Sequence, residues 1–278
     1  MLELRGVAKT FQAGGANEVR ALAGIDLAVP QGQFVTIIGG NGSGKSTLLT
    51  AIAGSFLLDA GSIRLDGQDL TRLAEHHRAR WIGRVFQDPT LGTAADLSIA
   101  ENLALAAQKG RGGHLRWALD HALLEQLRGR LKELGMGLED RLWTPIGNLS
   151  GGQRQALSLL MATWHEPRLL LLDEHTAALD PKTANMILRL SEEIIRRGNL
   201  TTLMVTHSMQ QAVNLGDRLL MLSGGRILHD FPPSEKRWLR PADYRNCSRK
   251  CDARSSWTPA RPSCSPPPTS NWVQPLIN

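Results

Sequence analysis

The chain has 278 residues, 21% charged and 42% hydrophobic, which is the composition of a globular protein able to bury one or two full cores. No run of 18 apolar residues occurs and Met1-Leu2-Glu3-Leu4-Arg5 lacks a signal-peptide apolar block, so the expected location is the cytosol unless a partner holds the chain at a membrane. Of the net charge of +6, residues 240–278 carry six Arg/Lys against two Asp, or +4, so the first 239 residues hold only +2 and net charge gives no case for nucleic acid.

In chain order, short strands are expected at Leu2–Val7, Ala21–Val29, Phe34–Ile38 and Ser62–Asp66, with turn glycines at Gly32, Gly61 and Gly67. The basic cluster His76-His77-Arg78-Ala79-Arg80 reads as a solvated helix face, and Arg84-Val85-Phe86-Gln87 as a strand ending on a polar residue. Helical periodicity then takes over across 95–135, where Leu124, Leu127, Leu131 and Leu134 recur at spacings of 3 and 4 before Gly135 and Gly137. The α/β pattern returns after Gly152. Leu169–Leu172 is a buried parallel strand, a helix follows Pro181, and Thr201–Thr206 is a second buried strand. Leu219–Leu222 and Arg226–Leu228 flank Ser223-Gly224-Gly225 as a hairpin.

The fold class is therefore α/β: a parallel-sheet core, an N-terminal antiparallel β part, and a helical insertion at about 88–147. One folded domain is expected over 1–231. Beyond it, 232–278 reads as a disordered tail, since 240–278 hold seven of the fourteen prolines and show neither helical nor strand periodicity. All three cysteines (Cys247, Cys251, Cys264) lie there without a C-x-x-C pair or a nearby histidine, so neither zinc nor a disulfide framework is expected.

Three segments carry chemistry. Gly39-Gly40-Asn41-Gly42-Ser43-Gly44-Lys45-Ser46-Thr47 follows an apolar strand and opens a helix, which is the setting of a phosphate loop. Its glycines let the backbone wrap around phosphate oxygens, with the amides of Gly42 to Thr47 pointing at the β-phosphate. Lys45 would reach the β- and γ-phosphates of a nucleoside triphosphate, and the Ser46 hydroxyl would coordinate Mg²⁺. Asp173 and Glu174 end the leucine strand, at the carboxyl edge where sites gather in parallel sheets. Asp173 is placed to bind Mg²⁺ and Glu174 to polarise an attacking water. Leu149-Ser150-Gly151-Gly152-Gln153 reads both as a capping box, Ser150 with Gln153, and as a second anion-binding helix start.

Taken together, these motifs make residues 1–231 resemble the nucleotide-binding subunit of an ATP-binding-cassette (ABC) transporter, a P-loop NTPase family. The family's order is present: phosphate loop, Gln87, LSGGQ at 149–153, the strand 169–174, Ala178-Leu179-Asp180 and His207. The resemblance implies a head-to-tail homodimer in which Ser150, Gly151, Gly152 and Gln153 of one copy close on ATP held by the other. It further implies that Phe11 stacks on adenine, Gln87 senses the γ-phosphate and the metal, Asp180 bridges the dimer, and His207 contacts the γ-phosphate. The implied partner is a separately encoded membrane permease, at whose cytoplasmic face the chain would sit peripherally, with a periplasmic or lipoprotein solute-binding protein if the system imports. His175 stands where proline is commoner, and Met161 where arginine is. Asp173-Glu174-His175-Thr176-Ala177-Ala178-Leu179-Asp180-Pro181 is similar to an import subgroup, some of whose members handle aromatic amino acids. The alternative is a soluble ATPase of the same family acting on nucleic acid or ribosomes. Those proteins usually carry two cassettes or long coiled-coil inserts, and neither is read here, so no nucleic-acid partner is expected.

Overall fold

The computed structural model describes residues 1–15, 17–108 and 119–239. The chain opens with β1 (Leu2–Phe11), β2 (Val19–Val29) and β3 (Phe34–Gly39), followed by α1 (Lys45–Ala53), β4 (Ala60–Leu65) and β5 (Gln68–Asp69). Then come α2 (Glu75–Arg78), β6 (Ile82–Val85), α3 (Ile99–Gln108), α4 (His121–Lys132) and α5 (Gly151–Thr163). The last part runs β7 (Leu169–Asp173), α6 (Pro181–Arg197), β8 (Thr201–Val205), α7 (Met209–Asn214), β9 (Arg218–Ser223), β10 (Arg226–Phe231) and α8 (Pro233–Lys236).

Two sheets result. An antiparallel sheet has the order β2-β1-β4-β5, and a six-stranded sheet has the order β10-β9-β3-β8-β7-β6. The second is parallel except for the hairpin β9–β10, whose turn residues Gly224 and Gly225 sit at φ 53° and 73°. Both central residues of that tight turn need a positive φ, which is why two glycines mark it in the sequence.

The leucine run of β7 is explained by its two faces. Leu169 and Leu171 point into the core shared with α1 and the antiparallel sheet, while Leu170 and Leu172 point into a separate core under α5 and α6. Leu203 and Val205 of β8 likewise face the first core, and Met204 the second. A strand covered on both sides has no solvent face, so polar alternation disappears. A third cluster joins α3, α4 and α5 through Leu103, Leu127, Leu131 and Leu157, so the leucine stripe faces a core. Residues 109–118 of the insertion lie outside the described residues, as do 240–278 with the three cysteines. No helix among the described residues is long and apolar enough to cross a membrane.

Two expectations need correction. Arg78 is not on a solvated face. It is 1% exposed, and its guanidinium donates to the carbonyls of Ala51 and Ile52 at 3.0 and 2.9 Å and of Leu73 at 2.7 Å. The Gly54 amide already caps Thr50 and Ala51, and the Arg78 cation adds donors to the Ala51 and Ile52 carbonyls at the negative end of the helix. The boundary at 231 also falls short, because Met1–Trp238 forms one compact unit. Within α8, Lys236 is buried, and its Nζ donates to the Thr36 hydroxyl and the Gly216 carbonyl at 3.1 Å each, and to the Leu215 carbonyl.

Burial pushes the Lys236 ammonium down to about 8. The unfolded chain keeps that proton to about 10.4, so between the two values the unfolded state binds more protons and stability rises with pH. Relative to Lys236→Met, the parent chain is expected to gain roughly 2–3 kcal/mol between pH 7 and 10.5, measured by urea unfolding.

Candidate active site

The site grows from the carboxyl edge of the parallel strands. β3 ends at Gly39, and the chain turns through Gly40, Asn41, Gly42, Ser43 and Gly44 into α1, which begins at Lys45. Glycine is required at Gly44 for two reasons. Its φ is 98°, and a Cβ there would lie 2.4 Å from the Ala21 carbonyl oxygen. Gly40 and Gly42 differ, since a Cβ on either would meet nothing within 4 Å and would stand in open space. The loop therefore presses on the protein from one side and leaves the other side free for a ligand.

Three observations fit that cradle to a polyanion. The Ser43 hydroxyl is buried without a hydrogen-bond partner. Lys45 is 5% exposed, yet its Nζ donates only to the carbonyls of Gly39 and Gly40 at 3.1 and 3.0 Å, so the buried charge meets no carboxylate among the described residues. The amides at the start of α1 add the positive end of a helix dipole. A triphosphate supplies what all three lack.

Ser46 and Thr47 lie in the first turn of α1. The Ser46 hydroxyl donates to Asp173 Oδ1 at 3.0 Å, which brings the phosphate loop and the end of β7 together. A hydroxyl beside a carboxylate is a hard oxygen donor set, and it suits Mg²⁺. Glu174 follows at φ 46°, 8% exposed, with Oε1 2.7 Å from Nε2 of His207, which lies just beyond β8. Asp173, Glu174, Ser46, Lys45 and His207 thus form one constellation.

The other expected residues lie on other elements. β6 stops at Val85, so Phe86 and Gln87 lie beyond the strand and Gln87 is exposed. Sequence reading missed Gln155 of α5, which is buried and donates its Nε2 to the Phe86 carbonyl at 3.3 Å, fixing the segment that leads to Gln87. Phe11 is 38% exposed and meets Phe56 edge to face, with ring centroids 5.3 Å apart. Lys9 lies over both rings at 5.6 Å. Phe56 carries no sequence signal, because only the meeting of β1 with the loop after α1 brings it there.

The capping box at the start of α5 is present. Ser150 Oγ accepts from the Gln153 amide, and Gln153 Oε1 accepts from the Ser150 amide, both at 3.2 Å. Ser150 and Gly151 are exposed. Gly152 is buried, and a Cβ on it would fall 2.2 Å from Thr183 Cγ2 of α6. Asp180 caps α6, accepting from the amides of Lys182 and Thr183 at 3.1 Å each. The Thr183 hydroxyl and amide hold its carboxyl below the usual carboxylate range. His175 is buried, its Nε2 lies 3.0 Å from Ser191 Oγ, and burial pushes it down to about 4, so the ring is neutral at physiological pH.

This geometry defines a nucleoside-triphosphate site on a parallel α/β sheet with an inserted helical part. Comparison with known proteins agrees. The ABC transporter family matches residues 22–177. The tyrosine transport ATP-binding protein of Clostridioides difficile is 43% identical over 236 residues, covering 85% of this chain and 94% of that one. The methionine import ATP-binding protein MetN of Photorhabdus laumondii is 35% identical over 240 residues, covering 84% of this chain and 66% of that one. Among solved structures, the dimeric ATP-binding cassette MJ0796, in a post-hydrolysis state bound to ADP and Pi, superposes with a TM-score of 0.72 at 28% identity. It covers 84% of this chain and 99% of its own. The chain belongs to the ABC transporter family, and it is an ATPase of that family's ATP-binding type. The alternative reading, action on nucleic acid or ribosomes, finds no support in these relatives.

The two kinds of glycine can be told apart by substitution. Gly42→Ala is expected to fold with a loss of about 1 kcal/mol from its positive φ and to lose ATP binding, because the methyl fills the cradle. Gly152→Ala is expected to cost roughly 1–3 kcal/mol by overpacking, relieved by adding Thr183→Ala. Chemical denaturation and nucleotide titration of each variant separate the two effects.

Proposed function

We propose that two copies of this chain sandwich two ATP molecules head to tail and use their hydrolysis to drive import through a separately encoded membrane permease. The observation that carries the reading is the meeting of Lys45, Ser46, Asp173, Glu174 and His207 at one edge, while the exposed Ser150 and Gly151 bond none of them. An exposed glycine-bearing helix start, capped by its own Ser150 and Gln153 but bonded to none of those five residues, suits the nucleotide of a second copy. The dimeric cassette of similar fold supports a pair of copies.

In this reading the phosphate loop 39–47 and Lys45 hold the triphosphate, and Phe11 packs on adenine. Ser46 and Asp173 hold Mg²⁺, which would neutralise charge on the β- and γ-phosphates, with Gln87 nearby. Glu174 takes the proton of a water that attacks the γ-phosphorus as the bond to the β-phosphate oxygen breaks, releasing ADP and phosphate. His207 holds the Glu174 carboxylate through the 2.7 Å contact until nucleotide arrives, then turns to the γ-phosphate. Ser150, Gly151, Gly152 and Gln153 of the second copy close the site, and Asp180 lies at the seam. ATP stabilises the closed pair because those contacts exist only there, and hydrolysis removes the bridge.

The solute class proposed is amino-acid-like, following the tyrosine and methionine names of relatives, with a periplasmic or lipoprotein solute-binding protein as a further partner. The chain would then sit at the cytoplasmic face of the membrane, held by the permease.

Glu174→Gln is expected to bind ATP normally while turnover falls on the order of 10²–10⁴-fold, the range for losing a general base. Unchanged turnover would remove Glu174 from that role. Lys45→Ala is expected instead to lose nucleotide affinity, read by titration with a fluorescent ATP analogue.

A further inference from the structure

We infer that His175 is a positioning residue for Glu174, acting through a buried hydrogen-bond chain to Ser191 of α6. The inference rests on the reading of Glu174 as the base. His175 is 2% exposed, and its Nε2 lies 3.0 Å from Ser191 Oγ. Ser191 Oγ in turn lies 2.8 Å from the Ile187 carbonyl, one turn back in α6. A carbonyl only accepts and a hydroxyl has one proton, so that proton goes to Ile187. The Ser191 oxygen is left to accept from Nε2–H of His175. The polarity of the chain, from His175 to Ser191 to Ile187, is therefore fixed by its far end.

What this chain restrains is the residue before it. Glu174 holds φ at 46°, a left-handed conformation that costs a residue with a Cβ on the order of 1 kcal/mol or more. Such a conformation persists only where its surroundings impose it. On one side the Glu174 amide donates to the Val205 carbonyl at 3.1 Å, and its carbonyl accepts from the Ala177 amide at 2.9 Å. On the other side stands the His175–Ser191 bond. Loss of that anchor frees the start of the connection between β7 and α6, letting Glu174 relax and its carboxylate leave the position 2.7 Å from His207. Lys45 and Ser46 ride on α1, a different element, so ATP affinity does not depend on this anchor. A shape-filling apolar residue could occupy the same space, but only a hydrogen-bond donor ties it to Ser191.

The test uses the full chain with His175→Leu, His175→Gln, Ser191→Ala and the double variant His175→Leu/Ser191→Ala. The readouts are steady-state ATPase kinetics, affinity for a fluorescent ATP analogue, and thermal melting. His175→Leu and Ser191→Ala are each expected to lower kcat roughly 10- to 100-fold, the scale of a misplaced catalytic group, with KM and nucleotide affinity within about twofold. His175→Gln, which keeps a donor, is expected to recover most of kcat, and the double variant to be no slower than the slower single one. Folded variants with parental kcat would overturn the inference. So would losses in kcat matched by equal losses in nucleotide affinity and melting temperature, or no recovery by His175→Gln. Glu174→Gln separates this from the parent reading. An active Glu174→Gln removes the base and this inference with it, whereas an inactive Glu174→Gln beside a fully active His175→Leu removes the positioning role alone.

Discussion

Val205 is hydrogen-bonded into the sheet between two neighbours at once, opposite Ile37 on β3 and opposite Asp173 on β7. Because all three strands run parallel, that register sets where each one ends. Gly39 begins the phosphate loop just past Ile37, and Asp173 closes β7 beside it, so the Ser46 hydroxyl reaches Asp173 at 3.0 Å. A slip of one residue in either ladder would turn every side chain of the moved strand to the opposite face and separate these groups. The two cores hold the register by interleaving Leu169 and Leu171 on one side with Leu170 and Leu172 on the other. The geometry of the candidate site is thus a property of sheet packing before it is a property of any loop.

The three central strands were legible because double burial leaves an unbroken apolar run, and the phosphate loop because its glycines answer a local demand of the backbone. The limits are equally physical. The segment 84–87 looked extended throughout, but the ladder stops where Val85 pairs with Leu172 and Phe86 has no strand partner. Arg78 looked solvated because a basic run gives no hint that the open end of α1 waits beside it. Lys236 gives no sequence signal for the same reason, since its acceptors are contributed by β3 and the turn before β9. Pattern reading sees the period of an element and the needs of its own backbone. It does not see an unsatisfied carbonyl contributed by another element.

The site shows the same division. Asp173 and Glu174 were marked by their place after a strand, yet the contact between Glu174 and His207, and the backbone conformation that aims Glu174, arise only from the fold. His175 reads as a mere departure from a commoner proline until its ring is seen buried against Ser191. Phe56 and Gln155 support Phe11 and the segment before Gln87 without any motif to announce them.

The tight fit of Gly152 on Thr183, with Gly151 lying 3.3 Å, measured from its would-be Cβ, from the Leu179 side chain, has a mechanical corollary. The tip that carries Ser150 and the bend that carries Asp180 are wedged together like two teeth of one gear. Neither can be offered to a neighbouring molecule alone. Were a second copy to approach as proposed, it would meet serine and aspartate on two helix starts packed against each other, so a shift of one would press on the other.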